Sequence, residues 1–573
     1  MNLFRRVGTL LLAVLLCASC VSASYYESVS HTDVPFSEMR YTGIDPEAVD
    51  AFCARFENDP IALYPELVAL YDEIYTQDQL ACIRMCKNVS DEALAEESER
   101  TSGNYTTASD RIYLALSRAL DSPHGDELAA LMPEGESEAF ANYEPMSEDA
   151  FTASDEETAL LHQYYQLPDD ESFADAAGEL YLRLAALRRE EAAQAGFDSY
   201  PEYAYYVSYA REFAPEDMAA LQRIVKKRLA PLYVRCALAF YDAPPLRGDE
   251  DIPADDEIMN AVAAYIGEVS PELNEAMDYL LRNRLYFIAS GDELLDTGYT
   301  SSLPAYGAAF IFDRAYSRFY AYKDAVHEFG HFNAAYHDPT PMLYQYDNMD
   351  VAEIQSQGLE LLFLPYLQDI LAGEDESQRN VVALSLLSDI LYSVVSGCLY
   401  DEFEQAVYAG PDMTVSGLHK LEQRLLAEYG LSELYDAEPE WPYVTHLFSS
   451  PGYYISYATS AVPALDLWLR SLSDRDAAVD AYLSISAART DAWFFDVLYD
   501  NGLCDPTDSG DLARFAGALE QQFGKFLPDA APAAILPIAG TVIVLGVIVV
   551  VLLRRNSSVE SESFDDANEE TTA

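Results

Sequence analysis

Apolar residues recur with helical spacing through almost every segment between the two ends of this 573-residue chain. In ADAAGELYLRLAALRREEAAQAG, residues 174–196, Leu180, Leu184 and Leu187 belong to one apolar stripe among charged residues, and Gly196 is suited to end the helix. The alternation expected of a half-buried strand does not stand out. The sequence therefore predicts an all-α, predominantly helical protein.

The N-terminus, MNLFRRVGTLLLAVLLCASCVSAS, carries an apolar segment of another kind. Two arginines precede an apolar run at residues 7–16, and a small-residue site suited to cleavage follows. These features predict a signal peptide at residues 1–23 and hence an exported protein. Cys20 leaves a lipoprotein alternative open.

Near the C-terminus, residues 533–553 (AAILPIAGTVIVLGVIVVVLL) form an uncharged apolar segment long enough to cross a bilayer as a helix. Arg554 and Arg555 follow directly, which places the acidic tail 554–573 in the cytoplasm by the positive-inside rule. Residues 529–532 would form a short stalk. We therefore predict a single-pass protein of the cell membrane with an extracellular ectodomain.

The charge balance narrows the choice of partners. Lys and Arg total 34 against 97 Asp and Glu, which gives a net charge of −63. Such a chain repels nucleic acids and anionic membrane surfaces. The excess of acidic residues has two interpretations: they form a solvated acidic surface, or they attract cationic peptides.

Residues 322–337, YKDAVHEFGHFNAAYH, contain two histidines four positions apart. On a helix His327 and His331 project from the same face, so both imidazoles can reach one metal ion. Glu328 follows the first histidine and is placed to act on a water molecule at that metal. The stretch predicts a metallopeptidase-type site.

A third ligand is available on the next predicted helix, in YDNMDVAEIQSQGLELLFLPYL. Glu353 is the candidate carboxylate ligand, and Glu360 lies two turns further along the same face. The spacing Asp350-x-x-Glu353 also fits a capping box, which would engage Glu353 with backbone N–H groups. Next to HEFGH, the ligand interpretation is favoured.

These two motifs resemble those of the oligoendopeptidase F and thimet oligopeptidase family of zinc metallopeptidases. Members carry HExGH on one helix and Glu-x-x-Ser-x-x-x-Glu on the next, and residues 327–331 and 353–360 match in that order. The segments 298–326 and 187–200 also resemble family elements. The resemblance covers roughly residues 170–527.

A further family element is a histidine followed by tyrosines that stabilise the tetrahedral intermediate. In VTHLFSSPGYYISYATS, residues 444–460, His446, Tyr453 and Tyr457 take these positions. Gly452 stands where the family usually has phenylalanine, which leaves open whether Tyr453 or Tyr454 faces the metal.

The resemblance implies one Zn²⁺ per chain, held by His327, His331 and Glu353. It casts Glu328 as the general base and Glu360 as a residue that orients a zinc-binding histidine.

The resemblance also implies an elongated, two-lobed helical protein around a deep substrate channel. We expect an N-terminal helical lobe at 24–170 and a catalytic zinc-peptidase domain at 171–528. The expected function is that of a membrane-anchored extracellular zinc oligoendopeptidase that hydrolyses internal bonds of short unstructured peptides.

Two alternatives remain. Zinc carboxypeptidases with a related HExxH site share Gln355, Ser356 and Glu360 with this chain. The other alternative is an inactive cell-surface module that only binds peptides. A degenerate enzyme would be expected to lose a metal ligand or the general base, whereas this chain keeps the three candidate ligands and Glu328.

Overall fold

The structure, a computed structural model, describes residues 25–527 except for residues 27–28, 134, 142, 144–147, 169, 346–347, 411, 436–437 and 491. The predicted signal peptide, the predicted stalk, the predicted transmembrane helix at 533–553 and the acidic tail lie outside these residues. The expected domain boundary between residues 170 and 171 stays a prediction.

Helices make up most of the described chain, which confirms the predicted predominantly helical class. The helices before the sheet are α1 (Pro46–Phe56), α2 (Pro60–Cys86), α3 (Glu92–Leu120), α4 (Gly125–Ala129), α5 (Glu136–Ala141), α6 (Glu148–Tyr165), α7 (Phe173–Gln194), α8 (Tyr200–Tyr203), α9 (Ala219–Ile224), α10 (Ala230–Tyr241), α11 (Asp255–Val269) and α12 (Asn274–Asn283). Those after it are α13 (Arg318–His337), α14 (Met349–Ala372), α15 (Glu376–Ala409), α16 (Val415–Glu428), α17 (Thr445–Ser449), α18 (Ile455–Ser471), α19 (Arg475–Ser486), α20 (Phe494–Asn501) and α21 (Ser509–Phe523).

The structure also contains a small three-stranded sheet, which the sequence did not predict and which is consistent with a predominantly helical, all-α class. Its strands are β1 (Tyr286–Ala289), β2 (Gly298–Leu303) and β3 (Ala308–Arg314), in the order β1-β3-β2. β3 pairs parallel with β1 and antiparallel with β2. Six consecutive residues of β3 are buried, so the strand reads as a continuous apolar run instead of an alternating one, and periodicity could not reveal it.

The core is built around the long helices that follow the sheet. α14 packs against α13 and α18, and α15 packs against α18. Among the described helices, α15 alone is long and apolar enough to cross a membrane, but 89% of its most apolar window is buried inside the protein. Its apolar residues therefore act as core residues. A second apolar cluster, around Phe56, Leu67 and Ile112, lies among α1–α4.

Side-chain caps fix where the two central helices begin. The Ser317 hydroxyl accepts from the backbone N–H of Tyr320 at the start of α13, and the Asn348 side chain accepts from Val351 at the start of α14. The helix predicted at 174–196 is confirmed as α7, and Gly196 follows its end with φ of +87°.

The contact between α13 and α14 depends on Gly330. A Cβ atom there would lie 2.7 Å from the Cα of Ser356 and 2.8 Å from the carbonyl oxygen of Gln355. Both neighbours are backbone atoms of α14, which cannot move aside as a flexible side chain would. The glycine therefore lets the two helix backbones meet directly.

The Gly330→Ala substitution should lower the free energy of unfolding by about 1–3 kcal/mol, because the added methyl group forces the two helices apart. Gly103→Ala is the matched control, since Gly103 also lies inside a helix but a Cβ there meets nothing within 4 Å. The control should gain about 0.5–1 kcal/mol. Urea unfolding measures both changes in free energy, and equal effects would contradict a direct backbone contact at Gly330.

Candidate metal centre

Three predicted ligands from two helices meet at one point. One donor atom from each of His327, His331 and Glu353 lies within 4.8 Å of the others. The Nε2 atoms of His327 and His331 lie 3.5 Å and 4.0 Å from the same Glu353 oxygen, Oε2. Two imidazole nitrogens and a carboxylate oxygen that converge in this way match the donor set of a catalytic zinc site.

Glu360 determines the orientation of His327. Its Oε1 lies 2.6 Å from the Nδ1 of that histidine, and the carboxylate is 2% exposed. An Nδ1–H donated to Glu360 leaves the Nε2 lone pair directed at Glu353. The structure thus places Glu360 next to the histidine that the sequence analysis expected it to orient.

The electrostatics of the site favour a cation. Burial lowers the pKa of the His327 imidazole, but the hydrogen bond that it donates to Glu360 and the charges of Glu360 and Glu353 outweigh burial and raise the pKa to about 10. Burial lowers the pKa of His331 to about 4. Burial alone would raise the pKa of Glu353, and the two histidines hold it below its usual value. Carboxylates that stabilise a protonated imidazole also stabilise a metal ion at the same nitrogen, so these residues fit zinc.

Glu353 has further contacts that fix its carboxylate. The Ser356 hydroxyl lies 3.1 Å from Oε2, and the Tyr453 hydroxyl donates to Oε1 over 3.1 Å. Because α14 begins at Met349 and is capped by Asn348, the capping-box interpretation of Glu353 is wrong. Ser356 belongs to the quoted motif, but the sequence alone gave it no role.

Glu328 lies on the sheet side of α13. The Thr300 hydroxyl on β2 lies 2.7 Å from its Oε2 and donates to it, and the side chain is buried. Burial raises the pKa of Glu328 to about 7. The sequence analysis did not identify Thr300, although it lies in the segment that resembles the family sequence before the zinc helix.

His446 and the tyrosines form one aromatic group beside Glu353. The rings of His446 and Tyr453 stack with centroids 5.1 Å apart, and those of Tyr453 and Tyr457 lie 5.2 Å apart. A spacing of four residues would put Tyr453 and Tyr457 on one face of a helix, but Tyr453 precedes α18 and Tyr457 lies within it. Tyr454 is buried and packs edge-on against Tyr400, which leaves Tyr453 as the tyrosine that contacts Glu353.

Ionisation states in this group are set by burial. Burial raises the pKa values of Tyr453 and Tyr457 well above the usual value, so both phenols keep their protons at neutral pH. Burial lowers the pKa of His446 to about 4, so its ring is neutral there. The group can therefore donate hydrogen bonds without carrying charge.

Arg211 joins the ligand helix to the tyrosine segment. Its Nε donates to Asp350 over 2.9 Å, its Nη1 to the carbonyl of Gly452 over 2.8 Å and its Nη2 to Ser456 over 2.7 Å. Thr459 also hydrogen-bonds to Asp350. The Arg211 and Asp350 side chains are 0% and 2% exposed, so this is a buried ion pair. Nothing in the sequence signals a contact between residues this far apart.

A cavity of about 1120 Å³ opens onto the ligands and is lined by His327, Glu328, Glu353, His446 and Tyr457 among others. It also reaches Asp324 on α13 and Asp338, which directly follows α13, and at the rise of a helix these residues are about 20 Å apart. An extended peptide of about six residues spans that length.

Solved peptidase structures share this architecture. A structure of PZ peptidase A with an inhibitor is 20% identical, covers 86% of this chain and 99% of its own, and superposes with a TM-score of 0.70. A Bacillus anthracis protein described as an oligoendopeptidase F is 20% identical, with coverages of 87% and 99% and a TM-score of 0.68. A Pyrococcus furiosus carboxypeptidase is 14% identical, with coverages of 81% and 98% and a TM-score of 0.53.

At these identities the similarity shows that the chain has this peptidase fold. The resemblance to oligoendopeptidase F expected from the motifs is therefore confirmed for the fold. No protein-family model matches the chain, and neither does any curated protein.

Replacing Arg211 with methionine should cost about 3–5 kcal/mol of unfolding free energy, because it leaves the Asp350 carboxylate buried without its cation. Arg228→Met is the control, since the pair of Arg228 with Glu520 is partly solvated, with 26% and 39% side-chain exposure. That change should cost less than about 1 kcal/mol. Denaturant unfolding of both variants is the measurement, and a loss for Arg211→Met as small as the control's would refute the assignment.

Proposed function

We propose that this protein is a zinc oligoendopeptidase that hydrolyses internal bonds of short peptides. The observation that carries the proposal is the convergence of His327, His331 and Glu353 on the wall of a peptide-sized cavity, with Glu328 beside them. The shared peptidase fold supports it.

The chemistry follows from the positions of the side chains. His327, His331 and Glu353 would hold a zinc ion, which would supply Lewis-acid chemistry for the attack of water on the scissile carbonyl. Glu328 accepts the proton of the attacking water and passes it to the departing amine. Thr300 keeps the Glu328 carboxylate in place through its hydrogen bond.

Charge develops on the substrate carbonyl oxygen as the carbonyl carbon becomes tetrahedral. His446 and one or both of Tyr453 and Tyr457 donate hydrogen bonds to that oxygen. Their neutral, protonated state suits this role, because each offers a proton without first taking one from solvent. Glu360 holds the His327 ring in the orientation that ligation requires.

We further propose that the substrates are short and unstructured. The cavity accommodates roughly six extended residues, which is too few for a folded protein to present from its surface without local unfolding. A two-lobed arrangement around a deep channel would impose the same limit on substrate size.

A carboxypeptidase is the second candidate. The similarity in fold to the Pyrococcus furiosus carboxypeptidase favours it, as does the segment Glu353–Glu360, which shares three residues with the pattern of such enzymes. The two candidates differ in products, since an endopeptidase cuts internal bonds and a carboxypeptidase removes residues stepwise from the C-terminus.

We place the enzyme at the cell surface, anchored by residues 533–553. The signal peptide and the arginines after the apolar segment support this placement. Protease added to intact cells should then remove the catalytic domain and spare an epitope fused to the C-terminus. A catalytic domain that resists the protease until the cells are opened would reject this topology.

Two substitutions separate catalysis from metal binding. Glu328→Gln should keep one zinc per chain and reduce kcat by about a hundredfold to ten-thousandfold, because the proton acceptor is lost. Glu360→Gln should weaken zinc affinity by about tenfold to a hundredfold, because His327 loses its orienting partner. Zinc content and mass-spectrometric cleavage of a mixed peptide library measure both effects.

The outcomes of that experiment discriminate among the candidates. Internal cuts that disappear in Glu328→Gln support the oligoendopeptidase, and stepwise loss of C-terminal residues supports the carboxypeptidase. Stoichiometric zinc without any cleavage points to a peptide-binding module. Normal turnover by Glu328→Gln would show that Glu328 is not the proton acceptor and would contradict the proposed mechanism.

A further inference from the structure

The charges along the cavity wall are unevenly distributed. Carboxylates outnumber lysine and arginine among the lining residues, and the lysines and arginines of this wall are Arg314, Lys323 and Arg489 in the part of the chain that the structure describes. Arg489 lies at the end of the cavity near Asp338. Arg314 on β3 and Lys323 on α13 lie at the opposite end, which we call the upstream end because both residues precede the metal ligands in the chain.

Near Arg489, Asp338 is the carboxylate among the lining residues that the structure describes, and both of its oxygens are engaged. The two oxygens of Asp338 accept from the backbone N–H groups of Thr340 and Thr490, over 2.8 Å and 2.9 Å. This aspartate therefore serves as a structural link between two loops.

At the upstream end four aspartates line the wall: Asp296, Asp313, Asp324 and Asp389. We call this set the acidic end. Lys323 lies 3.0 Å from both Asp324 and Asp389, and Arg314 lies 3.3 Å from Asp296. Two cations therefore face four aspartates. Burial and the charges of Asp324 and Glu328 raise the pKa of Asp313 well above its usual value, so the negative charge of the acidic end rests mainly on Asp296, Asp324 and Asp389.

Asp313 differs from an ordinary surface aspartate because its side chain is almost completely buried. It sits on the central strand β3 directly opposite Gly298, is 2% exposed and lines the cavity. Its Oδ2 is buried and accepts no hydrogen bond from any residue that the structure describes. A buried carboxylate oxygen without a donor is costly unless a cation or a donor reaches it.

Gly298 carries no side chain, so the Asp313 carboxylate can lie close to its backbone. A Cβ atom there would lie 2.9 Å from the Oδ1 of Asp313 and 3.5 Å from the Oε1 of Glu328. The Asp313 carboxylate and the proposed general base thus both lie beside Gly298. Glu353 and Glu360 balance the two positive charges of a zinc ion at the ligands, so the excess at the acidic end is not cancelled by the metal.

We propose that the acidic end binds a basic side chain of the substrate, so that the enzyme prefers cationic peptides. This inference rests on the proposed peptidase function and adds the substrate class to it. The net charge of −63 supports it, since a strongly negative protein attracts cationic peptides over a long range. On the same wall, the rings of Tyr316 and Tyr320 already face Arg314 and Lys323, and Tyr299 can contact the aliphatic stem of a substrate lysine or arginine.

The test uses a neutral peptide that the full-length protein cleaves in detergent. Each residue near the cut is replaced in turn by lysine or by Nε-acetyl-lysine, which is similar in length but uncharged. At one position kcat/KM should be about tenfold higher for lysine, as expected for one partly buried charge pair. The preference should shrink as ionic strength rises from about 0.05 M to about 0.5 M.

Variants identify the residues responsible. In Asp313→Asn and in Asp324→Asn the preference for lysine over acetyl-lysine should fall to within about twofold. Glu374→Gln is the matched control, because it removes the same charge from an exposed residue outside the cavity and should leave the preference intact. No preference at any position, or one that survives both aspartate changes, overturns the proposal.

Binding to Glu328→Gln separates this inference from the proposed function. Fluorescence anisotropy of the lysine and acetyl-lysine peptides reports their affinities whether or not the enzyme turns over. Preferential binding of lysine peptides without cleavage by the unaltered protein supports the acidic end and rejects the peptidase. Cleavage without any charge preference keeps the peptidase and rejects the acidic end.

Discussion

The backbone contact between α13 and α14 at Gly330 is the constraint on which the rest of the site depends. His327 and His331 lie on one of these helices and Glu353 on the other, so the distance between the helix axes sets the distance between the donor atoms. With Ser356 and Gln355 already at contact distance from Gly330, even one methyl group would separate them. Close packing of the two helix backbones therefore sets the geometry of the site, because backbone atoms in contact cannot move aside as side chains can.

The same rigidity extends outward through buried polar contacts. Arg211 connects α14 to the segment that carries Tyr453, and Thr300 connects the sheet to Glu328. Each contact joins two elements that the chain brings together from distant positions. Preorganised donors and acceptors of this kind need no rearrangement when charge develops, which is the requirement for electrostatic stabilisation of a transition state.

The sequence predicted the parts of this arrangement that are local. The spacing of His327 and His331 predicts a shared helix face, and α7 appears where its apolar stripe predicts it. Whatever depends on long-range contacts was missed: β3 reads as a buried apolar run, Tyr453 falls outside α18, and no motif links Arg211 to Asp350. Asn348, and not Asp350, caps α14, because the choice between neighbouring capping residues is made by tertiary contacts of Asp350 with Arg211 and Thr459.

A common electrostatic principle connects the metal site and the acidic end. Glu328, Glu353, Glu360 and Asp313 are all nearly buried within one region, where like charges repel strongly and water cannot screen them. The fold tolerates such a concentration only when cations share the region. Lys323 and Arg314 supply part of that charge from within the chain. His327, His331 and Glu353 provide the donor set for a metal ion. The remaining excess of negative charge lies at the acidic end, where we propose that a substrate side chain binds. On this view the acidity of the cavity links metal binding to substrate choice, because both are responses to the same uncompensated carboxylates.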